Sequence, residues 1–204
     1  MSSAARARSE LPVPVQMPDG DHRVVLHGVD WRTYCAVREL LDSPGVRMTY
    51  LKGALEIMSP SRIHEDVKTR IARLVELFAL ESDTPLYGYG STTFRREAGE
   101  RGLEPDECYS VGTTMGEYPD IALEVIVTHG GIDKLAVYAG LGVREVWMWD
   151  EGRFGIHVWT GSRYEARERS ELVPTLDFVV LAELAGNPDQ HAALKQYRER
   201  LRSS

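Results

Sequence analysis

Cysteine is scarce in this chain, two in 204 residues, and Cys35 and Cys108 fall in no metal-ligand or redox spacing. That excludes a disulfide-built fold. With no export signal ahead of them, two thiols point to a reducing cytosol, and a cytoplasmic protein is expected. Long apolar runs are missing as well. No stretch approaches the ~18 residues that a membrane helix needs, so no membrane association is expected. The opening stretch, MSSAARARSELPVPVQMPDG, carries charge and prolines but no apolar segment of the signal-peptide kind. Residues 1–22 are expected to form a loose arm and residues 23–204 a single domain.

An excess of positive charge is also absent. The chain has 24 Lys and Arg against 31 Asp and Glu, for a net charge of −7. Phosphate affinity comes from Lys and Arg neutralising the backbone, so this balance weighs against strong nucleic-acid binding, although an uneven layout of charge would allow a local patch. Basic residues do gather at Arg95, Arg96 and Arg101, and in the tail at Lys195, Arg198, Arg200 and Arg202. Neither GxxxxGK[ST] nor GxGxxG occurs, and no His or Cys pair has zinc-ligand spacing, which argues against a phosphate-cradling loop and a zinc site.

What the chain does contain is clear patterning. Tyr34, Val37, Leu40 and Leu41 predict a short helix after Asp30, a candidate N-cap. Residues 47–58 read as a β-hairpin turning at Lys52-Gly53. From Arg62 to about Glu81, Ile63, Val67, Ile71, Leu74 and Phe78 recur at helical steps and form one stripe. His64 borders that stripe, whereas Glu65 points mostly outward. Residues 88–96 suggest a strand, and Asp106–Val111 a partner for the apolar run Ile121–Val127. Gly130-Gly131 opens a helix through Leu135, Tyr138 and Leu141, which Gly140 and Gly142 close. Two further strands, a polar strand and two terminal helical segments complete the reading. The core order is helix, three strands, helix, strand. A strand-helix-strand crossover from Glu124 to Trp149 implies a parallel pair in a mixed sheet, hence an α/β fold.

Three polar residues resist explanation as packing: Asp106, Glu124 and Lys134. Glu124 interrupts a β-branched apolar run, where a carboxylate is costly unless it is paired or binds a cation. Asp120 shares a strand face with Glu124, but four residues at ~3.3 Å each separate them by ~13 Å, too far to share an ion. Asp106, on the neighbouring strand, can sit beside Glu124 at cross-strand distance. Lys134 shares a helix face with Tyr138 and Leu141 and can reach the strand end near Glu124. Two carboxylates with waters and a phosphate suit a hard divalent cation, Mg²⁺ or Mn²⁺, so this trio is a candidate metal-dependent hydrolytic site. His64 could hydrogen-bond the phosphate or a metal-bound water, and His129 could line the same mouth.

LEIMSPSRIHE, YGSTTFRR, GLEPDE and PDIALEVIVTHGGIDKLAVYAGLGVREVWMWD together resemble the Uma-like family of restriction endonucleases, a bacterial branch of the PD-(D/E)XK nuclease superfamily. The resemblance runs collinearly from about Arg47 to Phe178. It implies a restriction-endonuclease-like αβββαβ core with a mixed, twisted β-sheet flanked by helices, dependence on a divalent metal, and hydrolysis of DNA phosphodiester bonds. Asp106 matches the family's aspartate, Glu124 its second acid and His64 its helix histidine. The motif lysine is expected two residues after Glu124, where this chain has Ile126; Lys134 fits a position that similar sequences use instead. Asp106 and Glu124 are thus the expected metal ligands, and Asp106, Glu124, Lys134 and His64 the expected catalytic set. DNA is the implied partner, and because duplex cutting commonly uses two active sites, a homodimer is plausible. Two alternatives compete: a nuclease fold that binds nucleic acid or protein without cutting, and a hydrolase of smaller phosphoesters.

Overall fold

Alternating and helically spaced apolar residues divide the described part of the chain into strands and helices. A computed structural model describes residues 20–43 and 45–203. In order it forms β1 (His22–His27), α1 (Trp31–Leu40), β2 (Arg47–Leu51), β3 (Ala54–Ser59) and α2 (Arg62–Glu81). Then come β4 (Leu86–Gly88), β5 (Phe94–Arg96), β6 (Arg101–Leu103), β7 (Glu107–Val111), β8 (Ile121–Ile126) and α3 (Lys134–Leu141). The chain continues through β9 (Glu145–Asp150), β10 (Arg153–Trp159), β11 (Tyr164–Arg167), α4 (Phe178–Ala185) and α5 (Gln190–Ser203). Of the arm expected over residues 1–22, residues 1–19 lie outside the described residues. Its last two belong to the fold: His22 opens β1, and Asp21 is buried.

The strands form two sheets. Five strands, ordered β1-β3-β2-β6-β5, make an antiparallel sheet; six, ordered β11-β10-β9-β8-β7-β4, make a mixed one. The only parallel ladder among the described residues is β8 with β9, joined through α3 as the crossover reading requires. The sequence α2-β4-β7-β8-α3-β9 is the αβββαβ core. The hairpin at residues 47–58 is β2-β3, and Lys52 (φ 44°) and Gly53 (φ 89°) supply the two left-handed positions of its tight turn. That hairpin joins the antiparallel sheet, a partition the local pattern did not reveal.

Packing explains the layers. Ser61 caps α2 by accepting the His64 amide at 3.2 Å. Val67, Ile71, Leu74 and Phe78 then bury against Ile121, Leu123, Val125 and Trp147 on one face of the mixed sheet, with α4 and α5 closing the same core. Burial of each such side chain stabilises the fold by roughly 1.5–3 kcal/mol. Ile63, expected in that stripe, is half-exposed, because His64 takes the buried side of the first turn. The other face of the mixed sheet carries Cys108, Ala122 and Val146 and packs on Val137, Tyr138 and Leu141 of α3. Helix α1 covers the antiparallel sheet through Tyr34, which stacks on Tyr50 with centroids 4.6 Å apart.

Two local expectations are corrected. The single strand read over residues 88–96 is two short strands in different sheets, because the chain turns at Gly90 (φ 62°) and the Thr92 hydroxyl donates back to the Tyr89 carbonyl. Gly130-Gly131 does not open α3. Both glycines have positive φ in the approach loop, and Asp133 is the N-cap, accepting from the Ala136 amide.

Candidate active site

Register brings the two acids together. Strands β7 and β8 pair antiparallel with Glu107 opposite Leu123, so one step further Asp106 falls opposite Glu124. Both carboxylates are almost fully buried, each 1% exposed. Lys134 is the first residue of α3 and Tyr138 lies one turn on, so both reach the same carboxylate. The Lys134 ammonium donates to Glu124 Oε2 and the Tyr138 hydroxyl to Oε1, each at 2.5 Å. The structure thus brings together Asp106, Glu124 and Lys134, the three residues singled out from the sequence, and adds Tyr138.

Asp106 is held from two sides. Its Oδ2 accepts the Val125 amide at 2.8 Å, and its Oδ1 lies 2.9 Å from His64 Nε2. That last contact is a close ion pair with the protonated ring. The other ring nitrogen, Nδ1, meets Asp21 Oδ2 at 3.1 Å. Glu65, by contrast, points away to Lys68 and Arg47. Asp120 serves the fold: its carboxylate accepts the Val111 amide and its carbonyl accepts the amides of Arg144 and Glu145.

Charge in this cluster is set by burial against pairing. Burial disfavours the ionised form of Asp106, yet His64 and Lys134 overcome it and hold the carboxyl well below the ordinary range. For Glu124, burial dominates, and the Asp106 charge adds to it; despite Lys134 and Tyr138 its pKa is raised. Burial alone would strip Lys134 of its proton, but Glu124 and Asp106 keep it protonated. Burial likewise opposes a charged His64, but Asp106 and Asp21 push its pKa up to about 9.

A raised histidine pKa has a defined sign in stability. The stabilising pairs are fully present below the unfolded value of 6.5 and are lost as pH rises through about 9. The metal-free protein is therefore expected to lose roughly 3 kcal/mol of stability across that window. Urea melts in EDTA would show it, with a His64→Gln variant lacking the slope. A flat wild-type profile would mean that His64 is neutral in the fold.

Glu124 and Lys134 open onto a cleft of about 140 Å³ between the two sheets, lined also by Arg23, Glu56, Thr128 and His129; Asp106 and His64 lie behind its wall. Its far wall is organised by Glu56, a buried acid of β3 that accepts the Ile132 amide at 3.0 Å and pairs with Arg23. Arg23 also donates to the Gly130 carbonyl. His129 lines the cleft but is largely exposed and meets Asp150 at 2.9 Å. Larger concavities of about 600 and 620 Å³ flank α2, and neither includes any of the four expected catalytic residues.

Asp106 and Glu124 could hold a divalent cation between them. Among the described residues, no group of three or more His, Cys, Asp or Glu side chains is arranged to hold a metal ion. The donor set is instead two opposed carboxylates, with Asp106 Oδ1 buried against the edge of the His64 ring. Hard oxygen donors in that number suit an ion that keeps waters and takes up a phosphate.

The Uma2 family model, described as "Putative restriction endonuclease", matches residues 31–186. The chain belongs to this family. No curated protein matches it significantly. The matched segment contains His64, Asp106, Glu124 and Lys134 but not β1, and so leaves out Asp21 and Arg23. Membership supports a nuclease and, through the family's description, a DNA substrate. No helix among the described residues is long and apolar enough to cross a membrane.

Sequence reasoning missed three contributors. Tyr138 was read only as packing. Glu56 carries the same signal as Glu124, an acid within an apolar strand, and could have been found by it. Asp21 sits in the polar run Pro18-Asp19-Gly20-Asp21-His22, which has no periodicity to read.

Proposed function

We propose that this protein is a divalent-metal-dependent endonuclease that hydrolyses DNA phosphodiester bonds at Asp106, Glu124 and Lys134. The observation that carries the reading is the cross-strand opposition of two buried acids with a protonated lysine on one of them. Asp106 and Glu124 would hold the cation, Mg²⁺ or Mn²⁺. When bound, it would lower the pKa of a water and neutralise phosphate charge. Tyr138 and Val125 hold the two carboxylates in orientation. The Lys134 ammonium, 18% exposed at the cleft, can orient the attacking water or donate to a phosphate oxygen as negative charge builds. His64 acts on Asp106 from behind.

The narrow cleft favours a second reading, hydrolysis of a smaller phosphoester by the same residues. The test is Mn²⁺ or Mg²⁺ binding by calorimetry on wild type and Glu124→Ala, followed by plasmid nicking and bis(p-nitrophenyl) phosphate turnover. Metal binding and nicking present in wild type and lost in the variant are expected. Turnover of the small diester without nicking would favour the second reading. No metal binding at millimolar concentration and no turnover would sink both and leave a nuclease fold used as a binding scaffold.

A further inference from the structure

We infer that Asp21, which precedes the family-matched segment, is a positioning residue of this site, acting through His64 on Asp106. The carboxylate of Asp21 is engaged at both oxygens. Oδ1 accepts the Ser61 amide at 2.8 Å, and Oδ2 meets His64 Nδ1 at 3.1 Å. Its own amide donates to Thr128 Oγ1 at 3.2 Å. One short residue therefore ties three places: the N-cap of α2, the ring of His64, and the end of β8 that carries Glu124.

The ring is the part that matters for Asp106. Side-chain exposure is 0% for His64 and 1% for both Asp21 and Asp106. No water competes for the imidazole in so closed a setting, and its orientation is set by what it bonds. A carboxylate on Nδ1 fixes the ring plane and leaves Nε2 facing Asp106, the arrangement by which outer partners orient metal-binding groups. Without Asp21, the two ring nitrogens would keep Asp106 as their one side-chain partner among the described residues. Asp106 would then be held by the Val125 amide and by a ring no longer fixed from its far side. Structural tethering by itself would account for the Ser61 and Thr128 bonds. It does not account for the placement of Oδ2 on the histidine that touches the acid.

The functional consequence rests on the metal-site reading, but the positioning itself does not, and the test separates the two. The full chain is labelled for His ring ¹⁵N and Asp carboxyl ¹³C resonances and compared, without metal, as wild type, Asp21→Asn and Asp21→Ala. The asparagine keeps an oxygen for the Ser61 amide, so a folding defect confined to the alanine variant is recognisable. The expected result is that both Asp21 variants shift the His64 ring nitrogens and the Asp106 carboxyl carbon. In a His64→Gln background, the Asp106 signal is expected to ignore Asp21→Asn. Mn²⁺ titration by calorimetry should then show affinity about tenfold weaker in Asp21→Asn than in wild type.

An Asp106 resonance unmoved by Asp21→Asn would overturn the inference, as would one moved equally with His64 absent. Resonances that behave as expected in a chain that binds no Mn²⁺ would uphold the positioning and defeat the metal-site reading instead. Resonances that shift with Mn²⁺ affinity unchanged would overturn the role of Asp21 in the site.

Discussion

Lys134→Met is expected to slow plasmid nicking about 10²–10³-fold, the usual consequence of removing one preorganised donor to developing charge. The loss should fall on kcat, with KM for DNA little changed, because the ammonium is held on Glu124 inside the cleft and is not spread over a binding surface. The fold should survive the change. Methionine keeps the unbranched apolar stem that packs at the start of α3. Glu124, whose pKa burial already raises, responds to the missing cation by holding its proton more tightly, so no unpaired buried charge remains. Rapid-quench nicking with near-ultraviolet circular dichroism on the same samples would separate chemistry from folding. Nicking within about threefold of wild type would remove Lys134 from the mechanism.

The second large effect concerns stability and lies away from the cleft. Glu145→Ala is expected to cost roughly 3–5 kcal/mol, read from the urea midpoint at constant slope. Glu145 is fully buried at the start of β9 and accepts four donors: the Trp147 indole at 2.9 Å, the Ser170 hydroxyl at 2.7 Å, and the Glu171 and Leu172 amides at 2.7 and 2.9 Å. Alanine leaves the indole N–H and the Ser170 hydroxyl hydrogen buried without an acceptor, at about 1–3 kcal/mol each, and loosens the turn before Val173, which the Ser170 oxygen still holds through the Leu172 and Val173 amides. A loss under about 1 kcal/mol would mean that water replaces the carboxylate. Nicking per folded molecule should not change, which sets this acid apart from Glu124, three strand positions beyond its partner Ile121 in the parallel ladder.

Why some of this was legible and some was not follows from the range of each signal. Glu124 stands out because a carboxylate inside a six-residue β-branched strand has no cheap local explanation. Lys134 and Tyr138 lie four apart, so helical geometry alone puts them on one face. His64 follows from the wheel of α2. All three inferences need only local periodicity. The assignment of β2-β3 to a second sheet does not, since it depends on pairing with β1 and with the three-residue β6, too short to show alternation. Asp21 is the extreme case: its amide bonds Thr128, 107 residues away. Glu56 was visible as a buried acid in waiting, but alternation along β3 alone would have sent it to solvent; the loop that covers it comes from beyond β8.

That loop carries a consequence for which sequences this protein can tolerate. Gly131 has φ 95°, and a methyl group on it would run into the Glu56 carboxylate and the Arg23 guanidinium. Even the smallest side chain therefore demands both a rare backbone conformation and the displacement of an ion pair. Genetic drift at this position is effectively closed while Glu56 stays. It could open only after Glu56 shortened, which would in turn release the Ile132 amide and loosen the run into Lys134. Positions 56 and 131 should thus change together or not at all, a constraint that deep mutational scanning of the pair would expose as strong epistasis.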